Sequence, residues 1–303
     1  MKWKVLAVAM GLAAVSGVVG AQSSKQIQIY ASVVDGTGAP AKAVEIADVS
    51  LKENGAEAKV LKVEPVNWPV KLQLLLDNGA GMGTQNVQQL KNGVAGLLEA
   101  LPPNLEVTLV STAPQPRILA RPTTDRAAVQ KGLDLLAGDS GAGRFVESLN
   151  EATQRIERDK TDHFPLIVSV ATTVGDRDTR DSDVKSIMKR LEARPTTVHV
   201  VVLTSGATTS GGGASQTNVG LAVTKFTGGR FENINSPTRI ATLLPEIGKQ
   251  AATAIERQSH LFRITADRPA GVSGELGRIT MGSKSPLSVV ALSFDGRLRD
   301  AGR

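Results

Sequence analysis

The chain contains no cysteine. That excludes disulfides, thiolate metal sites and cysteine-linked lipid, so the folded protein must be held by its core alone. Aromatic residues are nearly as scarce, with one Tyr, two Trp and six Phe in 303 residues. Stacking platforms for bases or sugars therefore cannot be numerous. Histidine occurs only at His163, His199 and His260, and neither a G-x-S-x-G elbow nor an H-E-x-x-H helix accompanies them. A hydrolase triad would have to assemble from distant parts without a local signature. Charge of one sign is also missing as a block. The formal net charge is +6, but Arg177 and Arg180 sit among acids, and Arg155 and Arg158 lie beside Glu157 and Asp159. Such interleaving describes a solvated surface, not a nucleic-acid groove. No repeat of solenoid period is present, and the only low-complexity segment surrounds Gly211-Gly212-Gly213.

Long apolar runs are confined to the start. Lys2 and Lys4 precede an almost wholly apolar or small stretch from Val5 to Val19, and Val19-Gly20-Ala21 supplies small residues for cleavage. This pattern predicts an export leader over residues 1–21, a mature chain beginning near Gln22 and a secreted or periplasmic location. The alternative, an uncleaved anchor, is opposed by an apolar part that is short for a spanning helix. No later stretch is apolar enough to span a membrane. Removing Lys2 and Lys4 takes the formal charge from +6 to +4. With 41% hydrophobic and 21% charged residues, the chain suits one full-sized domain plus a smaller unit.

The periodicity changes along the chain. Ile27, Ile29, Ala31 and Val33 alternate with polar neighbours up to the turn at Asp35-Gly36, and a hairpin is expected over 49–63 around Glu53-Asn54-Gly55. Residues 22–66 thus read as a β unit that ends in the proline-broken stretch Glu64 to Pro69. From residue 70 strands alternate with helices. Strands are expected at 70–76, 106–111, 117–120, 165–171, 198–203 and 230–232. Helices are expected at 87–101, after Asp125, from Phe145 to about Ile156, over 184–191, through Leu221 to Phe226, and from Ile240 to Ile255. The segment Ser205 to Asn218 reads as a loop, and Asp181 or Ser182 as a helix cap. This order predicts an α/β, doubly wound, mostly parallel sheet over 67–258. The tail, 259–303, returns to β at 261–266, 278–281 and 288–294, and these strands are expected to pair with the N-terminal β unit.

One junction concentrates the functional argument. Asp77 closes the run Leu72 to Leu76 and is followed by Asn78-Gly79-Ala80-Gly81-Met82-Gly83 and then an amphipathic stretch. A strand, an acid at its tip, a glycine loop and a helix make the place where open α/β sheets put ligands. Two glycines there also fit part of a dinucleotide fingerprint. The third would fall on Thr84, and Asp77 would face the phosphates. Asp176, Asp178, Asp181 and Asp183 could offer oxygens to calcium, but they lack the glycine and terminal Glu of a helix-loop-helix site and are interleaved with Arg177 and Arg180.

The ordered set of Asp77 and its glycine loop, Glu147 to Ala152 after a second glycine loop, the turn Phe226 to Phe231 and the long helix before Phe262-Arg263-Ile264-Thr265 resembles a von Willebrand factor A domain. The variant it resembles more closely is the one in exported bacterial proteins, with β segments on both sides. The resemblance implies a Rossmann-like fold with a small flanking β unit and, in members with a working site, a magnesium bound by Asp-x-Ser-x-Ser, a Thr and a second Asp. Here only Asp77 matches. The serines fall on Gly79 and Gly81, the Thr on Gly143 or a neighbour, and the last Asp on Thr172 or Thr173. One carboxylate does not hold magnesium against water, so Asp77 is expected to mark a vestigial metal position, with no cofactor. The expected function is that of an exported, non-enzymatic module binding an envelope or extracellular protein without a metal bridge. Its candidate contacts are Asp77, Asn78, Met82, Arg144, Thr172, Thr173 and Asp176, on loops 78–84, 139–144, 172–182 and 205–218. A scaffold acting through the flanking β unit is the alternative, followed by a nucleotide-binding or hydrolytic enzyme.

Overall fold

The computed structural model describes residues 3–6, 26–175, 179–194, 196–204, 214–272 and 274–293. The chain divides after Asn67 and again after Ala254 into two compact units, the first built from both ends of the chain and the second from Trp68–Ala254.

The first unit is all β. Its strands are β1 (Trp3–Leu6), β2 (Gln26–Val34), β3 (Val49–Glu53) and β4 (Ala56–Val66) from the N-terminal part. From the tail come strands at Leu261–Asp267, Ile279–Lys284 and Ser288–Ser293, which are β11, β12 and β13. Their order is β1-β12-β3-β4-β11-β2-β13. The expected pairing of tail with N-terminal strands is therefore present: β11 lies antiparallel between β2 and β4, while β12 pairs with β3 and β13 with β2. Alternation along β2 sends Ile27, Ile29, Ala31 and Val33 into one core with Leu51, Phe262, Ile264, Met281 and Leu292. Asn54 and Gly55 both take positive φ, so the β3–β4 turn has the shape an Asn-Gly pair favours. Strand β1, inside the segment read as a leader, runs antiparallel to β12. Glu53 is fully buried and receives both Nε and Nη2 of Arg268 at 2.9 and 2.5 Å and the Gly277 amide at 2.9 Å. That bidentate pair ties the segment before β12 to the end of β3.

The second unit begins with β5 (Val70–Leu76) and α1 (Val87–Ala100), followed by β6 (Glu106–Ser111), β7 (Arg117–Thr123), α2 (Arg126–Asp134) and α3 (Phe145–Arg158). It continues through β8 (Phe164–Thr172), α4 (Asp181–Ala193), β9 (Thr197–Leu203), α5 (Ala214–Thr227), β10 (Phe231–Ile234) and α6 (Ile240–Gln258), whose last turn lies past the division. The sheet order is β10-β9-β8-β5-β6-β7, parallel throughout except for the antiparallel edge strand β7. Every residue of β8 is buried, as a central parallel strand covered on both faces requires. Leu75, Ile167, Ala171, Val198, Val200 and Val202 join α3, α4 and α5 in one cluster, and their alternates Leu74, Leu76, Val168, Val170 and Val201 are buried too.

Three local expectations need correction. The helix after the low-complexity loop starts at Ala214, so the loop ends earlier than Asn218; residues 205–213 lie outside the described residues. The N-cap of α4 is Arg180, with no side-chain cap bond, because Asp181 and Asp183 have already entered the first turn, where they complement the helix dipole. The edge strands are displaced or longer, β7 reaching Thr123 and β10 starting at Phe231. Edge pairing is set by the neighbouring strand and not by local pattern.

Candidate functional site

The chain leaves β5 toward β6 on one side and returns through β8 on the other. The carboxyl end of β5 is thus the switch point of the sheet, and Asp77 stands there. Its amide donates to Val170 O at 2.9 Å, and the Thr112 amide donates to Leu76 O at 3.0 Å, so β8 and β6 clamp the strand tip from both sides.

The Asp77 side chain is 2% exposed, and its oxygens are engaged by the protein itself. Oδ1 accepts the Gly79 amide at 2.8 Å, while Oδ2 accepts the Thr172 amide at 3.0 Å and Thr172 Oγ1 at 2.7 Å. Burial pushes the carboxyl above its ordinary pKa, and these three donors pull the other way. Over the carboxylate lies Gly143. A Cβ there would overlap Asp77 Cγ and Oδ2 and stand 2.5 Å from Oδ1. A Cβ on Gly79 would stand 2.5 Å from Gly141 O, and one on Gly81 would overlap Thr172 Oγ1. Backbone has therefore moved into the space that ligand side chains would need. A hard divalent cation asks for near-octahedral oxygen ligands, and these residues offer one carboxylate both of whose oxygens already accept bonds from the protein. The residues present do not fit such an ion. Among the described residues no group of three or more His, Asp or Glu side chains could hold one elsewhere.

The surrounding loops interlock. Asn78 is 6% exposed; its Nδ2 donates to Ala137 O at 2.7 Å, its Oδ1 accepts the Ala113 amide at 3.2 Å, and its carbonyl accepts the Asp139 amide at 2.8 Å. The Ala80 amide donates to Gly141 O at 2.8 Å, and Gly143 bridges Gly175 in parallel. Arg144 is exposed but held at its backbone, with its amide on Thr112 O at 3.0 Å and its carbonyl accepting Ser148 N at 2.9 Å and Oγ at 2.6 Å. Of the residues expected to contact a partner, Asp77, Asn78, Met82, Thr172 and Thr173 are at most 6% exposed. They build the edge and do not face outward. Arg144 is the exposed member of that set, and Asp176 lies outside the described residues, as does Asp178 of the proposed calcium cluster.

Two features were not anticipated. Thr172, taken as a position that had lost an oxygen ligand, is the donor that satisfies Asp77; the signal was available, because a buried carboxylate must find donors on the adjoining strand. The second is a cleft of about 350 Å³ beside the switch point, lined by Asn78, Pro114, Arg117, Leu119, Leu135 and Asp139 among others. The histidines form no relay. His163 Nδ1 meets Thr161 O at 2.8 Å, and Asp159 lies 3.7 Å from that same nitrogen, so the acid is not opposite a nucleophile. His199 Nδ1 accepts the Arg230 amide at 3.0 Å. Burial, and then the nearby Arg230 charge, lower the His199 pKa to about 4.

Comparison with known proteins gives a sequence match over residues 72–207 to the von Willebrand factor type A domain. No curated protein matches the chain. Among solved structures, a von Willebrand factor type A protein from Catenulispora acidiphila is 9% identical, with 91% of this chain and 74% of that one covered and a TM-score of 0.49. The vWF domain of the type V pili tip protein Mfa5 from Porphyromonas gingivalis is 13% identical over 63% of this chain and 97% of its own, at a TM-score of 0.45. The conserved hypothetical protein BatB from Bacteroides thetaiotaomicron is 17% identical over 60% and 98%, at 0.43.

Proposed function

Because this chain carries a von Willebrand factor type A domain, we propose that it acts as an exported, non-enzymatic interaction module that holds an envelope or extracellular protein at the loop edge of the sheet without a metal bridge. One observation carries the reading: Asp77 stands at the switch point with its carboxylate spent on Gly79 and Thr172 and covered by Gly143. Partner contact then falls to the exposed rim, where Arg144 stands. The absence of a histidine relay among the described residues supports a binding role over a hydrolytic one.

Calorimetry tests the metal-free part. Magnesium, manganese and calcium should give no heat of binding with the full chain. Tight binding that disappears in Asp77→Ala would overturn it. Site-specific crosslinking in the native envelope tests the location, with partners trapped through Arg144 supporting the loop edge.

A second reading, assembly through the β unit, has its own observation. Among the described residues β13 is the end strand of its sheet, paired with β2, and it leaves Val290 47% exposed. Partners trapped through 26–64 or 261–295 and not through the loop edge would favour it.

A further inference from the structure

The strands at the ends of the two sheets are not protected alike. An open strand edge invites pairing by other chains, and folded proteins blunt it with charge, proline, a bulge or brevity. β7 carries exposed Arg117, Arg121 and Pro122 and two register shifts against β6. β10 is four residues long, and β13 shifts register against β2 between Val289 and Ala291. The run Thr280-Met281-Gly282-Ser283 inside β12 has none of these devices. It holds no charge and no proline, and β12 pairs with β3 in unbroken register from Ile279 to Ser283.

β1 covers that edge instead. Trp3 pairs with Lys284, Lys4 with Ser283, Val5 with Gly282 and Leu6 with Met281, all antiparallel, and the other end strand, β13, also comes close to β1. β1 lies within the residues expected to leave with the export leader. The strand that guards β12 is therefore the one that maturation would take away. The other six strands stay joined without it, in the order β12-β3-β4-β11-β2-β13.

We infer that β12 is a strand-acceptor edge, capped by β1 until the leader is removed and filled afterwards by an extended segment of another protein. The inference rests on leader removal and on the second reading above, assembly through the β unit, and specifies how that contact is made. The segment pairs through its main chain, antiparallel to residues 281–284, as β1 does. Directly opposed residues share one face of a sheet. Met281 and Ser283 are fully buried, and the Ser283 hydroxyl is spent on Leu287 O at 2.9 Å. The two positions opposite them are dry, so the segment should carry apolar residues at both. β1 places Leu6 opposite Met281 but Lys4 opposite Ser283. It meets the requirement at one position of two, which suits a temporary cap.

The probe is the fluorescein-labelled peptide Lys-Trp-Val-Val-Leu-Lys-NH2, which repeats residues 2–6 with valine in place of Lys4 and adds a lysine for solubility. It is titrated by fluorescence anisotropy against the chain as exported, whose mass shows whether residues 1–21 are gone. The expected result is saturable binding with slowed hydrogen exchange over residues 279–284. The full-length chain, with β1 in place, should bind at least about tenfold more weakly. So should the exported chain with Lys-Trp-Pro-Pro-Leu-Lys-NH2, because one of two consecutive amides in an antiparallel strand faces its partner. Restoring lysine at the first valine should cost about threefold or more. Equal binding by the two chain forms or by the proline peptide would overturn the inference, as would protection confined to other segments or an exported chain that keeps residues 1–21. Loss of amide protection in β2 and β11 once the leader is gone would also overturn it, since β1 would then be a structural strand. Failed peptide binding with native partners crosslinked through 26–64 or 261–295 leaves the assembly reading standing and removes this edge. Specific peptide binding here, with partners crosslinked only through the loop edge, does the reverse.

Discussion

Replacing Gly143 by serine puts a hydroxyl over the Asp77 carboxylate, at one of the positions where the family resemblance leads one to expect an oxygen ligand, and here it should damage the fold and recruit no metal. The new Cβ would overlap Asp77 Cγ and Oδ2, while the Asp77 carboxylate is fixed by donors at 2.8, 3.0 and 2.7 Å. Turning the carboxylate aside breaks the two bonds from Thr172, and hydrogen bonds to a charged group are worth about 1.5–3 kcal/mol each. Lifting the Gly143 backbone instead opens its bridge to Gly175, where a further close approach leaves no slack. Adding overpacking of about 1–3 kcal/mol gives a penalty of about 4 kcal/mol or more. For a unit the size of Trp68–Ala254, about 2–4 °C per kcal/mol converts this to a fall in Tm of about 8–16 °C. Differential scanning calorimetry with and without magnesium reads both parts of the prediction. Ala142→Ser, one residue away and half-buried, is the control and should move Tm by less than about 2 °C. The reasoning fails if Gly143→Ser melts within about 2 °C of the parent, or if Gly79→Ser, Gly81→Ser and Gly143→Ser combined yield a protein that magnesium stabilises.

Thr172→Val keeps the shape and the amide donor but removes the hydroxyl from Asp77 Oδ2. It should cost about 2 kcal/mol in urea unfolding, and an unchanged midpoint would deny the staple. His199 is buried with a pKa of about 4, below the unfolded value of 6.5, so the unfolded chain binds the extra proton between those pH values. Stability should therefore be full above about pH 6.5 and fall by about 3 kcal/mol as pH drops to 4, a slope that His199→Gln flattens. A parent and variant with superimposable pH profiles would refute this. Glu53→Gln removes the charge that Arg268 meets by two bonds and also loosens its hold on Gly277. Hydrogen exchange at the Gly277 amide should accelerate while the amides of β5 and β8 keep their protection; unchanged exchange at Gly277 would count against that pair as the tie.

The central strands were legible because burial leaves a mark on composition. The run Leu72 to Leu76 and the stretch Phe164 to Thr172 are apolar at almost every position, which only a strand covered on both faces demands. The edges were less legible for the converse reason. β7 exposes Arg117, Ile118, Arg121 and Pro122, and its extent is decided by pairing with β6 through two register shifts that no local pattern encodes. The loops were harder still. Glycine at 79, 81 and 143 reads from sequence as the loss of ligand oxygens, and the resemblance alone leaves open whether the space stays vacant or fills. The close approach of Gly79 to the Gly141 carbonyl, of Gly81 to the Thr172 side chain and of Gly143 to the Asp77 carboxylate fills that space, and it is a property of three loops together.

That distinction bears on how such an edge can work. A cation site lets a partner complete the coordination of an exposed ion, so the edge is polar, rimmed with ligands and able to exist in filled and empty forms. Here Asp77, at the same strand tip, is 2% exposed and bonded to the protein itself. Asp77 joins β5 to the end of β8, Asn78 joins it to the turn after β6 and to the segment after α2, and Gly143 bridges Gly175. Each of these loops is bonded to at least one other, so moving one must break bonds in its neighbour. On the proposed reading, a partner at this edge would meet what projects from a fixed base. Arg144 projects from a residue bonded at both its amide and its carbonyl, and Leu135 from the C-cap of α2. On that reading, affinity for a partner should respond to ionic strength, through Arg144, and not to divalent cations or chelators. A partner complex that dissociates with chelator but tolerates half-molar salt would contradict that account at its base.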